Sequence, residues 1–374
     1  MESEISILKK SELAELKLRR LYEQYGYQKY RMNQFEEYAF YIENKNFLGC
    51  DSFITFNDKD GHLMALKPDV TLSMVKNTSA DMTGSKKLYY SENIFRFIKN
   101  AGEYRELNQT GLEYIGKMDI CSTAEIVTLA AKSLEIIDKS YVLAISHMGM
   151  ISGLLDEIEN NYAAKQKILD CISEKNPHDI QKVGKEFGIS EYILARVQKL
   201  ISVNCGLKEA ADILGELVCN KATEEAANEI KAISEILDGS AYAENIRVDF
   251  STVSDTQYYN GILFSGYIEG VASAVVVGGR YDNLLQKMNK GNLQAMGFAV
   301  NFYELDRFLK EKSNDGASGV VAVRYSSKCD MKNVYSMTEK LIGEGKKVIS
   351  CTELPENTVF EEIIDLYKAE EESK

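Results

Sequence analysis

Hydrophobic residues follow a helical period at the start of the chain and form short runs farther on. The leucines of residues 11–26 predict a helix, with Ser11 able to cap its start and Gly26 suited to its end. Residues 53–67 predict a hairpin, because two apolar runs flank a polar Asp-Lys-Asp-Gly turn. The next predicted elements are a strand pair over 87–115 and a helix over 122–137.

The pattern changes near residue 157. From 157 to 239 apolar residues keep the helical spacing, which predicts a helical insertion. The run from Ala272 to Val277 has no polar face, which predicts a central strand covered on both sides. A polar linker over 310–318 precedes alternating strand and helix patterns, which indicate a small α/β unit. The other predicted elements are strand 258–268, helices after Gly279 and over 297–309, strand 320–324, helix 331–343, strand 347–351 and a final helix.

Charge and composition narrow the function classes. The chain has 57 acidic and 44 basic residues, a net charge of -13, which argues against a nucleic-acid partner. No apolar run reaches the ~18 residues of a membrane span, and the N-terminal residues lack the apolar run of a signal peptide. Seven cysteines without a CxxC pair and three histidines without ligand spacing predict reduced thiols, no metal and no cofactor. We therefore expect a cytoplasmic protein that does not contact membranes.

The first candidate site segment runs from Leu66 to Thr71. Asp69 and Thr71 lie where a carboxylate and a hydroxyl could bind an ammonium group. The alternative is an ordinary helix start, in which Asp69 caps the helix or favours its dipole.

The second segment contains Arg96 and the predicted strand around Gly111. Because alternate side chains of a strand share a face, Gln109, Gly111 and Glu113 line one surface, with space above the glycine for a ligand. The alternatives are a solvent-facing strand and a structural pair between Arg96 and Glu113.

The third segment joins a tyrosine pair to a glycine pair. Gly278 and Gly279 end an apolar run and allow close approach of a ligand to the backbone. Strict alternation would turn only one of Tyr258 and Tyr259 inward, and we favour Tyr259. Arg280 and Asp282, which follow the glycines, form a local structural pair in the simpler interpretation.

Taken in order, these segments resemble the histidyl-tRNA synthetase family of class II fold. The motifs that carry the resemblance are GHLMALKPDVT, NIFRFIKNAGEYRELNQTGLEYIG, QYYNGILFSGYIEG, GGRYDNLL and MGFAVNFYEL. The resemblance implies an α+β fold, in which helices flank an antiparallel sheet. It also implies three domains: a synthetase-like core (1–156 and 240–312), the helical insertion (157–239) and a truncated C-terminal α/β unit (318–374).

Several positions depart from the synthetase motifs. Ser254 stands where the synthetase has an arginine before its Tyr-Tyr pair, and Glu304 replaces the motif 3 arginine that holds the ATP γ-phosphate. Arg307, one turn farther on, is a poor substitute. Motif 1 has Asn33 in place of its proline, and motif 2 has Ile98 in place of a glutamate. Because adenylate formation needs fixed cations around the phosphates, these changes predict a chain that does not activate amino acids.

The sequence largely keeps the residues that correspond to the histidine-binding positions of the synthetase family. The resemblance therefore implies that the following residues bind histidine: Asp69, Thr71, Arg96, Gln109, Glu113, Tyr258, Tyr259, Gly278 and Gly279.

A paralogous family with this combination is the regulatory subunits of ATP phosphoribosyltransferase. The resemblance implies a non-catalytic chain that activates a short-form catalytic subunit and mediates feedback by histidine in the first step of histidine biosynthesis. It also implies a homodimer within a hetero-oligomer, without tRNA. Two alternatives remain: a divergent active histidyl-tRNA synthetase, and a stand-alone histidine sensor.

Overall fold

The computed structural model describes residues 8–48, 52–99, 101–158, 161–251, 258–311, 319–356 and 358–366. The chain divides into two compact units, residues 1–308 and 309–374. The helices of the first unit are α1 (Lys10–Gln24), α2 (Tyr38–Glu43), α3 (Thr71–Lys76), α4 (Ile120–Ile137), α5 (Met148–Asp156), α6 (Tyr162–Ser173), α7 (Pro177–Phe187), α8 (Glu191–Ile201), α9 (Leu207–Glu216), α10 (Lys221–Leu237) and α11 (Asp282–Lys287). Helix α12 (Phe302–Glu311) spans the boundary between the two units.

The strands of the first unit form two sheets. They are β1 (Gln28–Lys29), β2 (Phe35–Glu37), β3 (Thr55–Asn57), β4 (Leu63–Leu66), β5 (Ser85–Ile98), β6 (Glu103–Gly116), β7 (Tyr141–His147), β8 (Asn204–Gly206), β9 (Ile246–Asp249), β10 (Ile262–Ile268), β11 (Val276–Arg280) and β12 (Gln294–Asn301). The central sheet has nine strands in the order β1-β5-β6-β12-β11-β10-β7-β9-β8. Neighbours from β5 to β7 in this order are antiparallel, which confirms the predicted α+β fold with an antiparallel sheet.

Helix α4 provides much of the apolar layer on one side of the central sheet. Its buried residues include Ile126, Leu129 and Ala130, and Asp119 caps its start by accepting a hydrogen bond from the Ser122 N–H at 2.8 Å. Tyr22 of α1 and Ser133 of α4 are hydrogen-bonded at 3.0 Å in the buried interior.

The predicted start of the first helix is wrong. Helix α1 begins at Lys10, so Ser11 lies inside it. The cap is Lys9, whose backbone N–H donates to Glu12 Oε2 at 2.7 Å. The local acidic residue satisfies the helix end, and the serine hydroxyl is not needed there.

Other sequence predictions differ in outcome. The hairpin is confirmed as β3 and β4, and the second strand pair as β5 and β6. The predicted helix over 297–309 is wrong at its start, because β12 runs to Asn301 and pairs with β6 and β11. The predicted strand 271–277 is also shifted, since β11 covers only Val276–Arg280. In both cases pairing with a neighbouring strand decided the boundary.

The segment over 157–239 carries helices α6 to α10, as the helical spacing predicted. The three residues of β8 within it form a strand that pairs antiparallel with β9 at the edge of the central sheet. This strand was not predicted, because three residues give too short a pattern. The three-domain boundaries stay a prediction.

The second unit has a three-stranded sheet in the order β14-β13-β15, with both neighbours parallel. Its elements are β13 (Val320–Arg324), α13 (Met331–Gly343), β14 (Lys347–Cys351) and β15 (Phe360–Asp365). The first three match the predicted bounds. The predicted final helix is wrong over 360–365, which form β15 instead. None of the helices described in either unit has the length and apolar character to cross a membrane.

Candidate functional site

A cavity of about 340 Å³ opens on the central sheet, and eight of the nine predicted site residues line it. The eight are Asp69, Thr71, Arg96, Gln109, Glu113, Tyr258, Tyr259 and Gly278. Tyr90, Tyr281, Gly297 and Asn301 also line it and were not among the predicted site residues. The volume falls at the lower end of the range for small-molecule sites.

Gly279 is the predicted residue that does not line the cavity. A side chain there would come within 2.8 Å of the Tyr259 ring and would also meet the backbone of β10. Its role in this arrangement is to leave room for Tyr259, which does reach the cavity.

Glu113 is the most enclosed acidic group of the site, with 2% of its surface exposed. Thr71 donates its hydroxyl hydrogen to Glu113 Oε1 at 2.7 Å, and Tyr281 donates to Oε2 at 2.5 Å. Gly297 pairs with Glu113 across β6 and β12, and a side chain at Gly297 would collide with the carboxylate. The glycine therefore makes the space in which the carboxyl group lies.

Burial is the main cause that raises the pKa of Glu113 to about 8. The hydrogen bonds from Tyr281 and Thr71 lower this pKa, and the negative charge of Asp69 raises it further. Burial also raises the pKa of Asp69, although the positive charge of Arg96 opposes this. Two carboxyl groups are thus held in a site where ionisation is costly, and a ligand that brings positive charge or N–H donors would offset that cost.

Asp69 is held by the backbone N–H groups of Thr71 and Leu72 and by Arg96. Its Oδ1 accepts the Leu72 N–H at 2.9 Å, so the helix-start interpretation of Asp69 is correct as far as it goes. Its Oδ2 lies 3.3 Å from Arg96 Nη2, and Arg96 Nε donates to the Pro68 carbonyl at 2.7 Å. The alternative pairing of Arg96 with Glu113 is wrong: Arg96 fixes the Pro68-Asp69 loop.

The tyrosine pair does not follow strand alternation. Strand β10 begins only at Ile262, so Tyr258 and Tyr259 lie in an irregular segment where both rings reach the cavity. Their ring centroids are 4.6 Å apart in an edge-to-face arrangement. Burial raises the pKa of both hydroxyls, so they stay protonated at neutral pH and act as donors. The preference for Tyr259 alone is wrong.

Gln109 lines the cavity and is buried. Its amide nitrogen donates to Asn301 Oδ1 at 2.6 Å. Among the described residues no side-chain hydrogen bond is recorded at Gln109 Oε1, so this oxygen is free to accept from a ligand.

A second cavity, of about 330 Å³, shares Arg96, Gln109 and Asn301 with the first. Two of the predicted departures from the synthetase motifs, Ile98 and Glu304, line it. Lys99 is the other basic residue on its wall. Ser254 and the Arg307 side chain lie outside the described part of the structure.

Comparison with known proteins bears on the family of this chain. Residues 6–305 match the family model for histidyl-tRNA synthetase. Two similar proteins are named ATP phosphoribosyltransferase regulatory subunit. The one from Clostridium kluyveri is 28% identical over 88% of this chain and 85% of its own length. The one from Thermoanaerobacter pseudethanolicus is 28% identical over 94% of both.

Solved structures give the same fold. A protein from Bacillus halodurans, described as an ATP phosphoribosyltransferase regulatory subunit/histidyl-tRNA synthetase, superposes with a TM-score of 0.77 at 22% identity, covering 95% of this chain and 93% of the other. A chain of the ATP phosphoribosyl transferase (HisG:HisZ) complex from Thermotoga maritima gives a TM-score of 0.61 at 16% identity, covering 77% and 96%. Because the family model spans most of the sequence and the fold agrees, the chain belongs to the histidyl-tRNA synthetase family.

Proposed function

We propose that this chain is a regulatory subunit of ATP phosphoribosyltransferase that binds histidine without activating it. In this role it activates a short-form catalytic subunit and transmits feedback by histidine. The observation that carries the proposal is the contrast between the two adjoining cavities. The first keeps the acidic and tyrosine groups that suit histidine, whereas the second has Glu304 where the synthetase motif has the arginine that holds the ATP γ-phosphate.

The chemistry of the first cavity suits a histidine zwitterion. Histidine presents an ammonium group, a carboxylate and an imidazole with ring nitrogens. Asp69 and the free oxygen of Gln109 can accept from the ammonium group, and Arg96 can face the carboxylate. Glu113 can accept from an imidazole N–H, while Thr71 and Tyr281 hold its carboxyl group in place. The aromatic walls favour a flat ring over a flexible side chain.

The second cavity disfavours ATP. Removing one cationic donor from a site of developing charge costs about 3–4 kcal/mol of transition-state stabilisation. Glu304 adds repulsion of about 1–4 kcal/mol toward a phosphate near a surface. These costs together correspond to several powers of ten in rate, which supports a non-catalytic chain.

The partner follows from the relatives. Similar proteins that cover most of this chain are named regulatory subunits, and one structural neighbour is part of a complex with the transferase. The resemblance to the class II synthetase fold supports a homodimer within that complex. The net charge of -13 further disfavours tRNA as a partner.

Three measurements test the proposal. Calorimetry should show saturable binding of histidine, with lysine, arginine and histidinol as comparison ligands. Pyrophosphate exchange with ATP and histidine should stay at background, and robust exchange would favour an active synthetase instead. Co-expression with a short-form ATP phosphoribosyltransferase should give a co-purifying complex that histidine inhibits. Histidine binding without any such complex would favour a stand-alone sensor.

A further inference from the structure

A network of hydrogen-bonded and charged side chains lies outside the cavity and includes Glu229 of helix α10. His147, which ends β7, accepts the Gly149 N–H at its Nδ1 atom over 3.0 Å. In the neutral ring the proton therefore lies on Nε2, which donates to Glu229 Oε2 of α10 at 2.8 Å. His147 is 6% exposed, so solvent competes little for this bond. Glu229 is thereby fixed against the central sheet.

Arg280, at the end of β11, lies between two carboxylates. Its Nη1 atom is 3.9 Å from Glu229 Oε1, and its Nε donates to Asp282 Oδ2 at 2.7 Å. Gly261 makes room for it, since a side chain there would come within 2.8 Å of Arg280 Cδ. Burial raises the pKa of Glu229, but the hydrogen bond from His147 and the charge of Arg280 outweigh it and lower that pKa. Glu229 is therefore ionised at neutral pH.

Asp282 connects this network to the segment that carries Tyr258 and Tyr259. Its backbone N–H donates to Asn260 Oδ1 at 2.9 Å, and Asn260 Nδ2 donates back to Asp282 Oδ2 at 3.2 Å. The Ala295 N–H donates to Asp282 Oδ1 at 2.8 Å. Because Asn260 directly follows Tyr258 and Tyr259, these bonds fix the irregular segment that carries both rings into the cavity.

Tyr281 lies between Arg280 and Asp282 in the chain but serves the cavity. Its hydroxyl donates to Glu113, while its two neighbours bond to each other, and Arg280 also faces Glu229. One three-residue segment thus contacts α10 through one side chain and the ligand site through another. A displacement of Glu229 would be transmitted to the donor that orients Glu113.

We propose that Glu229 is a positioning residue for the histidine cavity: through Arg280 and Asp282 it sets Tyr281 and the Tyr258-Tyr259 segment. Histidine affinity is thereby coupled to the helical segment that carries α10. This inference rests on the proposed histidine site and adds a route of regulation to it. The coupling is reciprocal, so whatever displaces α10 and weakens histidine is itself disfavoured by histidine to the same factor.

A double-mutant cycle measured by calorimetry with histidine tests the coupling. Glu229→Gln keeps an acceptor for His147 but removes the charge that faces Arg280. We expect it to raise the Kd by about 3- to 10-fold. In a Tyr281→Phe background the same change should raise the Kd by a clearly smaller factor, because the contact transmitted through the Tyr281 hydroxyl is already absent and only the route through Asn260 is left. Glu225→Gln, at an exposed position of the same helix, is the matched control and should leave the Kd unchanged.

A second pair of variants separates positioning from folding. Arg280→Lys keeps the positive charge between Glu229 and Asp282, whereas Arg280→Met keeps only the length of the side chain. We expect the lysine variant to recover most of the affinity that the methionine variant loses. This pair decides the matter if Glu229→Gln fails to fold.

Equal effects of Glu229→Gln in the two Tyr281 backgrounds would overturn the coupling, as would an unchanged Kd in Glu229→Gln. An equal loss of affinity in both Arg280 variants would overturn it as well. If the unmodified chain does not bind histidine at all, the proposed function fails and the coupling fails with it. If the unmodified chain binds histidine and any of the first three results is obtained, the coupling is refuted while the proposed function is not.

Discussion

Glu113 is a buried carboxyl group whose pKa is raised from its ordinary 4.5 to about 8, with burial as the largest cause. In the unfolded chain the same group ionises near its ordinary value. Between pH 4.5 and 8 the folded protein therefore holds a proton that the unfolded chain has released, so stability falls as the pH rises. The gap of about 3.5 between the two pKa values, at about 1.4 kcal/mol for each pH unit, gives about 5 kcal/mol above pH 8.

Glu113→Gln removes this cost because glutamine is neutral at every pH. Its Oε1 can accept from one of Thr71 and Tyr281, and its Nε2–H can donate to the hydroxyl oxygen of the other. Without histidine, the variant should be close to the unmodified chain in stability at pH 5. At pH 8.5 it should be more stable, by up to about 5 kcal/mol. Urea unfolding followed by circular dichroism at pH 5, 7 and 8.5 measures the difference. The same variant should bind histidine more weakly, since it lacks the anionic acceptor for the imidazole N–H.

An exposed position provides the control for this experiment. Glu225→Gln on α10 removes a carboxylate that is 69% exposed, so the stability difference should not change with pH. A gain in Glu113→Gln that is equal at pH 5 and pH 8.5 would refute the linkage argument, and so would a loss of stability at pH 8.5. Either result would mean that the buried carboxyl group does not titrate between those pH values.

Three further predictions concern residues of the first compact unit. Histidine affinity, measured by calorimetry, should rise about fivefold from pH 7 to pH 8 and about twofold more by pH 9, with proton release to the buffer, because binding requires ionised Glu113; a flat profile would mean that this carboxyl group stays protonated in the complex. Gly297→Ala should weaken histidine binding more than tenfold by displacing Glu113, while Gly215→Ala, where an added side chain meets open space, should not. Lys67 is fully buried, and its Nζ atom lies 2.6 Å from Glu92 Oε2. Lys67→Met should therefore lower the free energy of unfolding, measured in urea, by about 3–5 kcal/mol, and the double variant with Glu92→Leu should recover much of that loss. Equal losses in the single and double variants would contradict the ion-pair argument.

Local pattern determined much of the architecture before any tertiary contact was known. Three elements match their predicted bounds because polar residues interrupt the apolar pattern at their ends: Val320–Arg324, Met331–Gly343 and Lys347–Cys351. The long hairpin of β5 and β6 was predicted for the same reason. Alternation along β6 also placed Gln109 and Glu113 on one face, and both line the cavity.

Contacts between polar groups that are distant in sequence could not be predicted from the local pattern. Arg96 pairs with Asp69 rather than Glu113, and Tyr281 supplies the second hydrogen bond to Glu113 across 168 positions of sequence. No local period encodes such contacts, because they depend on how β6, β11 and β12 lie side by side. Tyr281 stands inside the glycine-rich motif, so its position was marked in the sequence although its role was not.

The amino-acid pattern predicted most of the element types, and the resemblance to the synthetase motifs implied the proposed histidine-binding set and the replacement of the motif 3 arginine by Glu304. The tertiary structure decided that Tyr258 and Tyr259 both face the cavity, since strand pairing begins only at Ile262 and leaves them free of alternation. It also decided the raised pKa of Glu113, which depends on burial among residues that are distant in sequence. Periodicity reports which face of an element is apolar, whereas desolvation and charge depend on what the folded chain brings against that face.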